Sequence, residues 1–405
     1  MTFTWKHIVG SMVLVIGSLL LTLPDVVDSA VRRVLGSNTD ASTPPPPIGC
    51  TPSSTFNMIA GTVVTTYSTG GAAIGHSFQV TPGYQNFVGA GFQSVRNTIA
   101  ADVFIGSVIT RTPAVFTARL TVATGNNPIV SNTNHMVPDF VNSRVLLHGT
   151  RTVAPCNVVN CLQLQLYGTN DSTPFIVSDV TFSGIDAGQG ALGGVSDGTY
   201  FYFLQRDGLS ANTNIFQFTQ DSSLTLVNSA SIGNFSPTFM LDDGTNLLAL
   251  DVAGVRLMII NRTTLGVTFL NLTGFAGNLQ DSFGYDPTAD VLYVATNLAG
   301  VTTIRQVLRS TGAATGVTQS IGTEGLLLQG IQVDVAAAKL YVASDGSGSS
   351  TNLRRYNAQT MTAEQAQSSI VGVPSHTASP DFVHKRFWFS GGGSPSFVQP
   401  YQLCT

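Results

Sequence analysis

From residue 51 onward, apolar and polar positions alternate in short runs separated by Gly, Pro and Asn turns. The runs are "GTVVTTYS", "HSFQVTP", "NFVGAGFQSV", "DVFIGSVITR", "VFTARLTVAT", "SRVLLHGTR", "LQLQLYGT" and "PFIVSDVTFSG". Successive side chains of a strand point to opposite faces, so a period of two with β-branched content predicts strands. About eight strands between residues 51 and 183 predict a two-sheet sandwich of jelly-roll type.

Beyond residue 184 the pattern repeats. "GGVSDGTYFYFLQ", "TFMLDDGTNLLALDV", "FGYDPTADVLYVATN", "IQVDVAAAKLYVASDG" and "ASPDFVHKRFWFSGG" each hold a strand, an Asp-led turn and a strongly apolar strand. The aligned aspartates Asp197, Asp243, Asp286, Asp334 and Asp381 are spaced by 46, 43, 48 and 47 residues. Further strands lie between them, among them "TNIFQFTQD", "RLMIINRTT", "TTIRQVLRS" and "TNLRRYNAQ". Four strands per unit at this period predict a β-propeller of five blades over residues 184–405. The last unit is short, because only "SFVQPYQLCT" follows "RFWFSGGG". Its missing outer strand leaves an open edge, and an open edge pairs with whatever strand reaches it. That partner is either an upstream segment of the same chain or a neighbouring molecule, and the second choice would make a polymer.

Ahead of the strands, Lys6 and His7 precede an apolar run from Ile8 to Leu23. Sixteen residues fall short of the roughly 20 that a membrane span needs. They fit the core of a secretory signal, with Val27 and Ser29 as small residues before a cut at Ala30. The competing reading of residues 1–30 is a retained hydrophobic helix broken at Pro24, the only route to a membrane. Residues 31–50 form an arm whose four consecutive prolines impose a stiff, extended conformation.

Composition changes the picture in one respect. Only 10% of residues are charged, against roughly 25% in an average soluble protein. The net charge is −4 without a basic cluster, which argues against nucleic-acid binding, since phosphate contacts need a concentrated positive face. Solubility then falls to Ser, Thr, Asn, Gln and attached glycans. Four sequons, at Asn170, Asn234, Asn261 and Asn271, are compatible with N-glycosylation. The four cysteines, Cys50, Cys156, Cys161 and Cys404, suit two disulfides in an exported chain, with three pairings open. Cys156 and Cys161 are near enough to close a local loop, "CNVVNC". That leaves Cys50 and Cys404, which would tie the start of the folded part to its end.

Three stretches resemble two known families. "GTNDSTPFIVSDVTFSG" resembles the closing strand of galactose-binding-like jelly rolls, with Asp179 keeping one carboxylate of the family's acidic pair. "DPTADVLYVATN" and "DVAAAKLYVASDG" resemble YVTN/NHL-type propellers. The first resemblance implies sugar binding by analogy, and the second implies a fold without a ligand.

Candidate chemistry is sparse. Asp179, in the middle of an apolar strand, is read as the polar side of a strand face. Its alternatives are a sugar contact and a ligand to a structural calcium, the one cofactor considered. The five repeated aspartates are read as turn residues accepting backbone N–H bonds. A propeller glycosidase would need two opposed carboxyl groups. The chain has two glutamates, of which Glu324 precedes an inner strand and Glu364 reads as an outer loop. His7, His76, His135, His148, His376 and His384 form no catalytic or ligand spacing. Tyr200, Phe201, Tyr202, Phe387, Trp388 and Phe389 are expected to pack between blades, while Tyr67 and Tyr84 are candidates for stacking on sugars. The sequence therefore predicts a non-catalytic extracellular glycoprotein at a cell or virion surface. Its expected role is a self-assembling subunit of a filament or surface coat, a homo-oligomer or polymer formed by strand or arm exchange. A glycan-binding adhesin using the jelly roll is the rival.

Overall fold

In a computed structural model of the chain, the described residues are the strand backbones between Asn57 and Val122 and most of the segment from His135 to Cys404, with side chains from Val137 onward. The leader 1–30, the arm 31–50, Cys50 and Asn170 lie outside them. Every regular element among the described residues is a β-strand. Residues Gly49–Thr405 form one compact unit.

β1 (Asn57–Ala60) and β2 (Val64–Thr65) precede a four-stranded antiparallel sheet of β3 (Ala72–Val80), β4 (Asn86–Gln93), β5 (Ala100–Ser107) and β6 (Val115–Val122). A second sheet holds β7 (His135–Asp139), β8 (Arg144–Arg151), β9 (Cys161–Gly168) and β10 (Phe175–Asp186). The third holds β11 (Gly190–Ser196), β12 (Tyr200–Arg206), β13 (Thr213–Thr219) and β14 (Leu226–Gly233). The fourth holds β15 (Met240–Asp242), β16 (Asn246–Asp251), β17 (Arg256–Asn261) and β18 (Val267–Asn271). The fifth holds β19 (Asn278–Asp286), β20 (Val291–Leu298), β21 (Val301–Leu308) and β22 (Ala314–Gly322). In the sixth are β23 (Leu326–Asp334), β24 (Lys339–Asp345), β25 (Thr351–Asn357) and β26 (Ser368–Ile370). The last comprises β27 (Thr377–Asp381), β28 (Arg386–Gly391), β29 (Phe397–Cys404) and, as its fourth strand, β1. A single parallel pairing, Leu328 with Thr377, joins it to the sixth.

The arrangement is all-β and propeller-like, clearest in the four consecutive blades from Gly190 to Ile370. First strands of successive units run side by side, with β7 next to β11, β11 next to β15, and β19 next to β23. In β12, β13, β16, β20, β24 and β25 nearly every residue is buried, so both faces of these strands are covered. On β20, Val291, Tyr293 and Ala295 pack with Ile331, Leu340 and Val342 of the sixth unit. The alternate residues Leu292 and Val294 pack with Leu248, Leu250 and Leu257 of the fourth. This explains the near-continuous apolar runs "VLYVAT" and "LLAL": a strand covered on both sides gains from an apolar residue at every position. Each such side chain contributes roughly 1.5–3 kcal/mol when fully buried.

Two expectations change here. The jelly roll expected over 51–183 does not emerge from the pairing. β3–β6 and β7–β10 are two meanders in which each strand bonds its neighbour in sequence, and β10 runs through residue 183 to Asp186. A period of two reports that strands are present but not which strand pairs with which, and a jelly roll differs from a meander only in the latter. The expected count of five over 184–405 becomes four complete blades from Gly190 to Ile370, followed by a sheet of β27–β29 that takes its fourth strand, β1, from upstream, and two further four-stranded sheets precede them.

The open edge of the last unit is filled from within the chain. β1 pairs antiparallel with β29, Asn57 opposite Cys404 and Ala60 opposite Tyr401. β2 continues along the same strand, Val64 opposite Val398. The first of the two sequence alternatives is therefore the one observed, and β29 has no edge left on that side for a neighbour.

Candidate functional site

The repeated aspartates do what turn chemistry asks of them. Asp197 Oδ1 accepts the backbone N–H groups of Thr199 and Tyr200 at 2.8 and 2.7 Å. Asp243 does the same for Thr245 and Asn246, and Asp286 for Thr288 and Ala289. Asp334 accepts from Ala337 at 3.1 Å. The side chain of Asp381 lies outside the described residues. Sequence reasoning missed a further member, Asp139, which closes β7 and accepts the N–H of Asn142 at 3.1 Å. It stands 58 residues before Asp197, outside the 43–48 period, because the second unit carries longer connections.

The second oxygens of two of these carboxylates, Asp197 and Asp243, join units to one another. Arg262, in the turn after β17, places Nη1 3.6 Å from Asp197 of the third unit and 3.1 Å from Asp242 of its own. Arg309, one unit on, pairs in the same way with Asp243 of the fourth unit. Burial, with Asp197 and Asp243 close by, raises the Asp242 carboxyl against the lowering effect of the Gly244 N–H and Arg262. Tyr202 donates its hydroxyl to Asp197 at 3.1 Å, and burial followed by the Asp197 charge pushes that phenol up. The acidic belt is thus a set of turn caps and inter-unit ion pairs.

Asp179 has a comparable occupation. It lies on β10 opposite Gln165 of β9. Gln163 Nε2 donates to Oδ1 at 2.9 Å and Gln165 Nε2 to Oδ2 at 3.0 Å. Both glutamines are fully buried, whereas the carboxylate reaches the surface. A carboxylate whose two oxygens accept side-chain amides needs no cation to account for its place in an apolar strand. Among the described residues no group of three or more His, Cys, Asp or Glu is placed to hold a metal.

The glutamates are also committed. Arg354 binds Glu324 in a fork, Nη1 to Oε2 and Nη2 to Oε1, each at 2.7 Å, and Ser344 adds a bond at 2.6 Å. Burial would raise this carboxyl, but the bonds from Arg354, Ser344 and Asn352 outweigh it and hold Glu324 below the usual range. A general acid needs the opposite shift. Glu364 sits between Lys339 and Arg355.

The other expected residues separate cleanly. Phe201, Tyr202, Phe387 and Phe389 are core, and His148 is buried with its ring 4.3 Å from that of Phe203. Cys156 and Cys161 form a disulfide closing "CNVVNC". Asn234, Asn261 and Asn271 are exposed, and Asn261 uses Oδ1 to cap the turn at Thr263 and Thr264. Tyr67, Tyr84, His7, His376 and His384 lie outside the described residues, and only backbone is described for His76, His135 and Trp388.

What remains is the entry end of the inner strands. β3, β11, β19 and β23 each break register with their second strand, between Ala73 and Ser77, Ala191 and Gly194, Leu279 and Phe283, and Leu326 and Ile331. A bulge re-aims side chains and frees backbone from the ladder. At Gly330 a Cβ would come within 2.5 Å of the Ala343 carbonyl, so the bulge needs glycine there. Between the bulges of β19 and β23 lies a cleft of about 450 Å³. Val252, Leu279, Leu326 and Leu327 form its apolar wall, and Gln280, Asp281 and Ser282 its polar one. Ser282 accepts the Ile331 N–H at 3.2 Å, so one strand's bulge is pinned to the next. Sequence reasoning missed this site, although "NLQDSFG" and "LLLQGIQ" both set polar residues inside an apolar inner strand.

No family model matches the chain, and no curated protein matches it. The solved structure of U3-55K, a propeller-type structure, covers 84% of this chain and 98% of its own at a TM-score of 0.54 and 9% sequence identity. At that identity the likeness is one of fold alone.

Proposed function

We propose that the chain is a non-catalytic extracellular recognition protein. In this reading its strands close into a wheel of seven four-stranded units, carried on a stiff arm and glycosylated at exposed asparagines. The ligand enters at the bulged mouth beside Gln280, Asp281 and Ser282. The observation that carries the reading is the pair of bulges in β19 and β23 that flank that mouth, set against acids elsewhere that are engaged in turns and ion pairs. A cleft of this size with apolar walls and a few convergent polar groups is where small ligands or chain segments bind. The leader, the sequons and the Cys156–Cys161 disulfide support an exported chain. A Cys50–Cys404 bond is part of this reading, supported by the pairing of β1 with β29 that sets Asn57 opposite Cys404.

Assembly into a filament or coat is the second reading. It keeps the support of low charge but no longer that of an unfilled strand edge. The test takes the full chain from a secreting host. Negative-stain images should show dispersed rings, and an array of extracellular proteins and glycans should give a ligand lost on Gln280→Trp. Filaments in the images, or binding unchanged by Gln280→Trp, would overturn the mouth as the working surface. Mass spectrometry of the mature N-terminus and of Asn234, Asn261 and Asn271 tests export.

A further inference from the structure

The packing between the third and fourth units ends in aromatic rings that reach solvent. Tyr202, Leu204, Met240, Met258 and Ile260 fill it inside, and toward the rim Phe235 and Val267 are only partly covered. Beyond them Phe269, on the outer strand β18, is 39% exposed. Its ring centre lies 5.3 Å from that of Phe235, and the Arg256 guanidinium is 4.1 Å from it. Asp251 fixes that guanidinium, accepting from Nε at 3.0 Å and from Nη2 at 2.6 Å. Asn271 closes β18 two residues after Phe269, so the two share a face about 7 Å apart. Arg256 stands directly opposite Asn271 on β17 and shares that face. Asn271 opens the sequon Asn-Leu-Thr, in which Asn271 and Thr273 are both exposed. Its backbone is pinned, because Leu272 donates to the Val255 carbonyl and Thr273 to that of Gly312, each at 2.9 Å.

We propose that Phe269 is the platform for the first N-acetylglucosamine of a glycan on Asn271, so that this sugar completes the rim between the two units. The inference rests on the reading of an exported, glycosylated chain. A sugar linked to the Asn271 amide lies within reach of a side chain two residues away on the same face. The C–H bonds on one face of that sugar carry partial positive charge and suit the negative face of an aromatic ring. Covering the ring also removes apolar surface from water. Arg256 and Phe235 hold the phenyl group and the backbone bonds hold the sequon, which keeps the ordering cost of the contact low. The other described sequons lack this arrangement. Two residues before Asn234 stands the buried Ile232, and two before Asn261 the half-buried Ile259.

The full chain is secreted from a glycosylating host as wild type, Thr273→Ala, Phe269→Leu and the double variant. Thr273→Ala abolishes the sequon and keeps Asn271. Peptide mass spectrometry should find a glycan on Asn271 in wild type and Phe269→Leu only. Loss of the sequon should lower the melting temperature by about 2 °C in wild type and by less than half as much in Phe269→Leu. Trimming the wild-type glycan to a single N-acetylglucosamine should leave the melting temperature unchanged, since the first sugar makes the contact. Asn271→Gln in place of Thr273→Ala should give the same cycle, which separates the glycan from any structural part of Thr273. An equal loss in both backgrounds, or coupling of Phe269 to the Asn234 sequon instead, overturns the inference and leaves the chain an exported glycoprotein. An unmodified Asn271 beside a glycan on Asn234 or Asn261 does the same. Absence of a glycan from all three overturns the exported reading with it.

Discussion

The two faces of β9 put the same backbone to opposite uses. Leu162, Leu164 and Leu166 face the third unit and join Phe201, Phe203 and Phe218 in one apolar cluster. Gln163 and Gln165, on the other face, are equally buried and hang from the Asp179 carboxylate. The first interface is non-directional and tolerates some repacking. The second is made of bonds whose donors are costly to strand, so it fixes geometry more than it adds stability. Alternation along a strand therefore does not by itself distinguish a buried face from a wet one. In a stacked unit both are buried, and polarity reports which partner lies opposite.

That contrast can be broken one face at a time. Leu164→Ala should cost about 2–5 kcal/mol in urea unfolding, the price of a cavity in the apolar interface. Asp179→Ala should cost about 1–3 kcal/mol, because two buried amides lose their acceptor. Calcium should leave the melting temperature unchanged in wild type and variant alike, and a rise confined to wild type would restore the calcium reading. Replacing Cys156 and Cys161 with serine should cost about 2 kcal/mol, since a loop this short restricts the unfolded chain only modestly. The smallest effect belongs to Glu324. Its folded carboxyl titrates below the ordinary value, so the stability due to its pairing is complete above the usual glutamate range of about 4.3 and fades as pH falls through the lowered value. Glu324→Gln should flatten that acid limb by under about 1 kcal/mol in thermal melts taken from pH 5 to 3.

The sequence disclosed the local rules and concealed the global count. Asp-led turns were legible because a carboxylate at the start of a tight turn is a local matter of one side chain and two N–H groups. Asp139 obeys the same rule, yet the disulfide loop and the "GTNDSTP" connection push it out of period, so its unit was assigned to a different architecture. Asp179 stands out in the sequence as a carboxylate within an apolar strand. Its partners lie on the adjacent strand, 14 and 16 residues earlier, and which glutamines it meets depends on a register that composition does not state. The mouth was invisible for another reason. A bulge is defined by the partner strand, and no pattern within "NLQDSFG" alone shows that Leu279 and Phe283 will face residues only two apart.

The meeting of β1 with β29 sets a timetable for synthesis. Residues 57–60 leave the ribosome well before residues 401–404, so every intervening sheet can form while the first strand waits without a ladder. Until β29 has emerged, the nascent molecule exposes β1 as a bare backbone segment. A truncation that removes only the final strand would leave β1 permanently without its place.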